Sequence, residues 1–255
     1  MAPAARSLYD HDLVEFHCAD PRNFYSQMYK RRLAVMLDSL QRHVSGGRLL
    51  DLGCAQGNVA LLAAEAGLES YAVDLRPEFL QYAGLKHERG RFLRVASDAT
   101  HLPFRPGFFD AVVWGEVIEH VAYPESILAE IARVLRPGGV LLVTTPNGAR
   151  LRTGLPTFSQ VSDRSQLESR QFQPDSDGHL FLFTRKELAA LLAQSGFRVL
   201  HQSLYATPWV SGRLAFRHWM SWMPPGLRNR LEELTLRTSL VASLLSEGQA
   251  AIAQR

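Results

Sequence analysis

The chain has 255 residues, 46% of them hydrophobic and 21% charged, which suits one large globular α/β unit and argues against a disordered or fibrous chain. Its formal net charge is +3 and its pI about 9.0, and among the basic residues only Lys30, Lys86 and Lys186 are lysine. The basic residues are spread with no long run, so the charge reads as an arginine bias more than as a nucleic-acid footprint. The stretch "MAPAARSLYDHDLVEF" has no apolar h-region and no run is long enough to span a bilayer, so a secretory signal and a membrane span are not expected. The two cysteines, Cys18 and Cys54, make no disulfide framework, and a reducing, cytoplasmic setting is the expectation.

In chain order, "EFHCADPRNFYSQMYKRRLAVMLDSL" (15–40) reads as a covering helix, with Tyr25, Tyr29 and Arg32 as candidate substrate or cofactor-lid contacts. "RLLDLG" (48–53) reads as a strand and "NVALLAAEAG" (58–67) as a helix closing on Gly67. "SYAVDL" (70–75) is a strand, "PEFLQYAGLKH" (77–87) a helix, and "RFLRVAS" (91–97) and "FDAVVWG" (109–115) are strands. "ESILAEIARVLRPGG" (125–139) reads as an amphipathic helix and "VLLVTT" (140–145) as a strand. Residues 146–183 are polar and irregular, long enough for a functional loop. "TRKELAALLAQSGF" (184–197) is a helix with Thr184 as its N-cap, and "RVLHQSLYA" (198–206) is a strand. Residues 210–245 read as helices broken at Pro224-Pro225, and "GQAAIAQR" as a short final strand. Strands alternating with helices at this spacing predict a mostly parallel sheet covered on both faces.

The first loop carries chemistry. In "LLDLGCAQGNVA", Asp51 precedes small residues at Gly53, Ala55 and Gly57, which let the backbone turn tightly and approach a ligand. A dinucleotide fingerprint requires a glycine where Asn58 stands, so that pattern fails. The segment resembles motif I of the class I S-adenosylmethionine-dependent methyltransferases, D-x-G-x-G-x-G, with Ala55 in place of the middle glycine. The resemblance continues over about residues 48–200, through "AVDL", "ASDATHLPF" and "FDAVVWGEVIEHV…LAEIARVLRPGGVLLVTTPN".

That resemblance implies a Rossmann-like sheet of seven strands, the last of them antiparallel. It also implies a division into an N-terminal helical cover (1–45), a cofactor-binding core (46–207), a helical insertion or lid (208–247) and a last strand (248–255). The implied cofactor is S-adenosylmethionine. Asp74 would bind the ribose hydroxyls and Asp98 the exocyclic amine, with Ala99 beside it. Asp51 would order water or the cofactor's ammonium group, and the loop amides from Gly53 to Gly57 would meet its carboxylate. Cys54, Asn58, Leu75, Gly115 and Glu116 complete the expected cofactor contacts.

"WGEVIEHV" (114–121) places Glu116, Glu119 and His120 in a stretch that otherwise reads as the edge of a core, where ionisable groups are costly unless paired or bound. A helical turn from Glu116 would set all three on one face. Quinone-biosynthesis O-methyltransferases and a group of small-RNA 2′-O-methyltransferases carry the same E-x-x-E-H followed by a later histidine, here His179. By that resemblance Glu116, Glu119, His120 and His179 would hold a divalent cation (Mg, Mn, Fe or Zn), a set that suits a mid-row ion. Without a metal, Glu119, His120 and His179 would remain catalytic or substrate-contact residues, with an imidazole as general base.

Three functions follow. The first is O-methylation of a small-molecule hydroxyl. The second is methylation of an RNA 2′-hydroxyl. The third is a non-catalytic cofactor-binding partner subunit. The helices at 210–245 also leave a membrane-surface contact open as an alternative to packing on their own domain.

Overall fold

The computed structural model describes residues 3–171, 178–213, 220 and 222–255. Its strands are β1 (Arg48–Leu52), β2 (Glu69–Asp74), β3 (Arg91–Ala96), β4 (Phe109–Gly115), β5 (Leu135–Pro146), β6 (Arg198–Tyr205) and β7 (Gly248–Gln254). They form one sheet in the order β3-β2-β1-β4-β5-β7-β6. The β1–β2, β1–β4, β2–β3 and β4–β5 pairs are parallel, whereas β7 lies antiparallel between β5 and β6. This is the seven-stranded Rossmann-like sheet that the sequence resemblance implied.

The two-residue period of the strands divides the core. Along β4, Phe109, Val112 and Trp114 enter the cluster on one face, and Ala111 and Val113 enter the cluster on the other. Along β1, Leu50 and Leu52 share the first face and Leu49 the second. The first face is covered by α5 (Pro124–Val134) and α6 (Arg185–Gln194), which contribute Ile127, Leu128, Ile131, Leu188 and Leu191. The second is covered by α2 (Phe24–His43) and α3 (Asn58–Glu65), through Met36, Leu40 and Ala63. Further helices among the described residues are α1 (Pro3–Glu15), α4 (Pro77–Lys86), α7 (Pro208–Ser211), α8 (Pro225–Arg237) and α9 (Ser239–Leu245).

Several element boundaries differ from the sequence reading. The helix expected over 15–40 is split. Glu15 ends α1, and α2 begins only at Phe24, where the Asn23 side chain accepts a hydrogen bond from the Ser26 amide at 3.1 Å. The helix expected over 125–139 stops at Val134, because Leu135 pairs with Phe109 and starts β5. Strand pairing with a buried neighbour overrides the helical pattern there. The expected break at Pro224-Pro225 holds, since Pro225 is the first residue of α8. Part of the expected 146–183 loop and of the 210–245 segment lies outside the described residues.

The insertion is tied to the cover. α7 packs on α2 and α8 packs on α7. Two buried charges on α8 bond in different directions. Arg228 donates to the Pro21 carbonyl at 2.8 Å, and Glu232 accepts from the Thr207 amide at 2.9 Å. No helix among the described residues is long and apolar enough to cross a membrane.

Thr184 caps α6 as expected. Its hydroxyl accepts from the Glu187 amide, and Glu187 accepts in return from the Thr184 amide at 2.7 Å, a reciprocal capping box. Glu187 also accepts from the Ser159 amide at 2.9 Å, which fastens the long loop to α6. Burial alone would raise the Glu187 carboxyl, but the bonds from Ser159 and Thr184 outweigh it and bring the pKa down to about 2. Thr184→Ala is therefore expected to cost about 1 kcal/mol and to lower the Tm by about 2–4 °C in a thermal melt. Separately, the stability that ionised Glu187 contributes to the parent chain should be lost as pH falls from the ordinary carboxylate range toward 2.

Candidate active site

β1 and β4 are neighbours at the centre of the sheet, and their C-terminal ends open onto one cleft of about 290 Å³. A ligand site at the carboxyl edge of a parallel sheet, between strands whose helices leave on opposite faces, is where this architecture leaves room. Asp51, Gly53, Cys54, Ala55, Gln56 and Asn58 line the cleft from the first loop, Gly115 and Glu116 from β4, and Tyr29, Arg32, Leu33 and Met36 from α2. Phe79 of α4 and His11 and Glu15 of α1 close it.

The loop turns sharply because three of its residues take left-handed backbone angles. Gly53 has φ 72° and Gly57 has φ 75°, and a Cβ on Gly57 would meet the Ala83 side chain at 2.7 Å. Ala55, where the resemblance has a glycine, also sits at φ 43°. That conformation is uncommon for a residue with a side chain and is held by the Ala55 amide donating to Asp74 Oδ2 at 2.9 Å.

The same turn uses four of the five amide donors from Gly53 to Gly57 that were expected to meet a ligand carboxylate. The Gly53 and Cys54 amides both donate to the Val73 carbonyl, Gly57 donates to the Cys54 carbonyl, and Ala55 to Asp74. The bonds to Val73 and Asp74 tie the turn to β2, so four of the five amides expected to cradle a ligand carboxylate bond within the protein. The cleft offers Arg32 instead for an anionic group.

Asp51 is 4% exposed, and its Oδ2 accepts from the Ala60 amide at 3.1 Å. Burial pushes its carboxyl up to about 7, against that amide bond, and the charge of Asp74 adds to the rise. A buried carboxyl facing an open cleft in this way is suited to a cationic ligand. Asp74, at the end of β2, is likewise raised by burial although it accepts from the Ala55 and Arg76 amides. Burial also pushes up the Cys54 thiol. Asp74, Leu75, Asp98 and Ala99 do not line the cleft. Leu75 is exposed, and Asp98 accepts from the Thr100 amide and hydroxyl, both at 2.8 Å, which holds its carboxyl below the usual range.

"WGEVIEHV" does not form one helical face. Glu116 takes a left-handed φ of 55°, and a single 3₁₀ turn over Ile118–His120 follows. The chain reversal at Glu116 sends its carboxylate to α2 and β6. Arg32 Nη1 lies 3.2 Å from Oε2, and the Tyr205 hydroxyl donates to Oε1 at 3.1 Å. Burial is the largest influence and disfavours the Arg32 charge, but Glu116, Tyr205, Tyr29 and Glu15 together outweigh it and hold its pKa above the ordinary value.

Glu119, His120 and His179 do come together, with ligand-capable atoms all within 4.8 Å of one another. Glu116 is not in that group. The His120 and His179 Nε2 atoms lie 4.0 and 3.9 Å from Glu119 Oε1, and the two rings are 4.7 Å apart. Glu119 is fully buried; Thr145 donates to its Oε2 at 2.9 Å, while Oε1 is buried without a hydrogen-bond partner. Burial, with the nearby Glu116 charge, pushes the Glu119 carboxyl well up. His179 is brought in by the Leu180 amide, which donates to the Glu119 carbonyl at 2.8 Å.

Of the three cover residues that the sequence reading named, Tyr29 and Arg32 line the cleft and Tyr25 does not. That reading had no signal for His11 or Glu15, because nothing in the pattern of "MAPAARSLYDHDLVEF" says which helix face meets the cleft.

Residues 50–143 match the family described as Methyltransferase domain. A ubiquinone biosynthesis O-methyltransferase from Xanthomonas oryzae pv. oryzae (strain PXO99A) is 37% identical over 118 residues, 44% of this chain and 49% of that protein. The chain thus spans about half the length of the curated relatives it matches. Among solved structures, phosphoethanolamine N-methyltransferase 2 of Haemonchus contortus, in complex with S-adenosyl-L-methionine, superimposes with a TM-score of 0.61 at 18% identity, covering 98% of this chain and 57% of that one. A SAM-dependent methyltransferase from Methanosarcina mazei gives 0.53 at 18% identity, covering 85% and 96%. At such identities the solved structures speak for the fold alone.

Proposed function

We propose that this chain, which belongs to the class I S-adenosylmethionine-dependent methyltransferases, transfers the methyl group of that cofactor to a hydroxyl oxygen of a small molecule. The observation that carries the reading is the buried Asp51 carboxyl in a cleft at the ends of β1 and β4, with Glu119, His120 and His179 gathered just beyond the end of β4. Asp51 suits the cofactor's ammonium, and Arg32 suits its carboxylate. Asp74, Asp98 and Ala99, by position, remain the proposed ribose and adenine contacts.

In the transfer the acceptor oxygen attacks the methyl carbon and the carbon–sulfur bond breaks. The electron pair stays on sulfur, and the hydroxyl proton leaves to a base. His120 and His179 supply imidazoles for that proton or for holding the oxygen in line. The donor set also fits a divalent cation: one carboxylate and two imidazoles, with Glu119 Oε1 buried and unpartnered beside both rings. When bound, such an ion would lower the pKa of the acceptor hydroxyl. Thr145 would orient Glu119 from behind.

Small molecules are favoured over RNA because many arginines are already paired. Arg133, Arg136, Arg164 and Arg213 each contact a carboxylate within 2.9 Å. The similarity to the Xanthomonas oryzae O-methyltransferase supports a phenolic acceptor.

The test is incubation of the purified chain with methyl-labelled cofactor and a panel of catechols and phenols, read by mass spectrometry. A labelled methyl ether is expected. Tight cofactor binding with no turnover on any acceptor or on RNA would leave a binding subunit instead. EDTA should abolish turnover, and Mn²⁺ or Zn²⁺ should restore it. Glu119→Ala, His120→Ala and His179→Ala should each lose the metal response, and their combinations should be little worse than the singles. Full activity after chelation would assign the histidines a metal-free role.

The Asp51 reading has its own sign. The free carboxyl titrates at about 7, and pairing with the ammonium lowers that value. Affinity for S-adenosylmethionine should therefore fall as pH drops below about 7, by up to ten-fold per unit. Titration calorimetry near pH 6.5 should register proton release on binding. Asp51→Asn should flatten the profile. An affinity that is constant or rises on acidification would remove Asp51 from the ammonium.

A further inference from the structure

The helix α1 docks in an unusual way. Among its described side chains the buried ones are Asp12 and Glu15, both acids, whereas Tyr9, Leu13 and Val14 are exposed. An ordinary covering helix buries an apolar stripe. Here the contact is polar and specific. Asp12 is 0% exposed, and its Oδ1 accepts from Asn58 Nδ2 at 3.0 Å. Its Oδ2 accepts from the Tyr82 hydroxyl at 3.0 Å and from Lys86 Nζ at 2.6 Å. Lys86 also donates to Asn58 Oδ1 at 2.6 Å, and Asn58 Nδ2 donates to the Tyr29 hydroxyl at 2.8 Å. One carboxylate thus joins α1 to α3 and α4, and through Asn58 to α2.

Asn58 is the first residue of α3, directly after the left-handed Gly57, and it lines the cofactor cleft together with Tyr29. His11 and Glu15, flanking Asp12 on α1, line the same cleft. Glu15 accepts from the Tyr25 hydroxyl at 2.6 Å and lies 3.1 Å from His11. We infer that α1 is a working wall of the cofactor site, and that Asp12 is a positioning residue that couples the docking of this helix to cofactor retention by holding Asn58, Tyr29 and Lys86. The inference rests on the proposal that the cleft takes S-adenosylmethionine.

The physical basis is the mode of docking. A helix held by an apolar stripe stays down whether or not a ligand is present. A helix held by a buried carboxylate depends on each partner, because an unpaired charge left in that place is costly. Breaking the Asp12–Lys86 pair should loosen α1, and a loosened wall lets the cofactor leave. By linkage, a bound cofactor should in turn hold α1 down.

The test uses the full chain with S-adenosylmethionine as the probe. Asp12→Asn and Lys86→Met should each weaken binding about ten-fold. The change should lie mainly in the dissociation rate measured by stopped flow, with kcat at saturating cofactor within about two-fold of the parent. The double variant should be no worse than the worse single, since both remove one interaction. Tyr82→Phe, a milder change, should give a few-fold loss and guards against failure of the charged variants to fold. Amide exchange over residues 3–15 should slow on adding cofactor to the parent and respond little in Asp12→Asn. Lower melting temperatures with unchanged affinity, dissociation rate and α1 exchange response would reduce Asp12 to a structural residue and overturn the inference. A parent chain that binds no S-adenosylmethionine would overturn the cofactor reading and this inference with it.

Discussion

The architecture of the site depends on the side-by-side pairing of β1 and β4 and on the way both leave the sheet. Leu49, Leu50 and Asp51 align with Ala111, Val112 and Val113, so the two chain ends emerge at the same level. Each then reverses through left-handed backbone. After β1 this happens at Gly53, Ala55 and Gly57, and after β4 at Glu116. A strand that continued straight would fill the space in front of the sheet. Two sharp reversals in opposite directions leave a cleft, and they put polar residues at its floor without breaking the ladders beneath.

The cost of that arrangement is burial of charge. Asp51, Asp74, Glu116 and Glu119 lie at the ends of the neighbouring strands β1, β2 and β4, and burial raises three of them, Asp51, Asp74 and Glu119. The protein offsets this unevenly. Glu116 has Arg32 and Tyr205, and Asp74 has two backbone amides. Asp51 has one amide, and Glu119 has the Thr145 hydroxyl on one oxygen. The under-compensated groups are the ones facing the cleft and the histidine pair, and that is where a cation would be stabilised most. The folded chain thus carries its incomplete electrostatics where a ligand can complete them.

The cover helices do more than exclude water. α2 supplies Tyr29 and Arg32 to the cleft while Met36 and Leu40 anchor it on the sheet. It also receives α7, so the insertion braces the same wall from behind. Gly212 marks the tightness of that contact, since a Cβ there would meet the Phe24 ring at 2.4 Å. The Glu119–His120–His179 cluster is built separately, from the 3₁₀ turn after β4 and the segment leading into α6. The cleft and the histidine cluster therefore meet at the end of β4 and share little else of the chain.

The sequence by itself determined the repeating elements and the tight loop after β1. Alternation along β1 and β4, the Thr184 cap and the spacing of small residues after Asp51 are local properties, fixed by side chains a few positions apart. Tertiary structure decided the rest. Leu135 became a strand because Phe109 lies beside it. Glu116 parted from Glu119 and His120 because Arg32 and Tyr205 draw it away. Four of the loop amides were taken by the Val73 and Cys54 carbonyls and Asp74, and α1 became part of the cleft through Lys86. Most of these outcomes are set by a partner distant in sequence, and the energy of a buried charge or an unmade hydrogen bond outweighs the helical or strand preference that a local pattern can express.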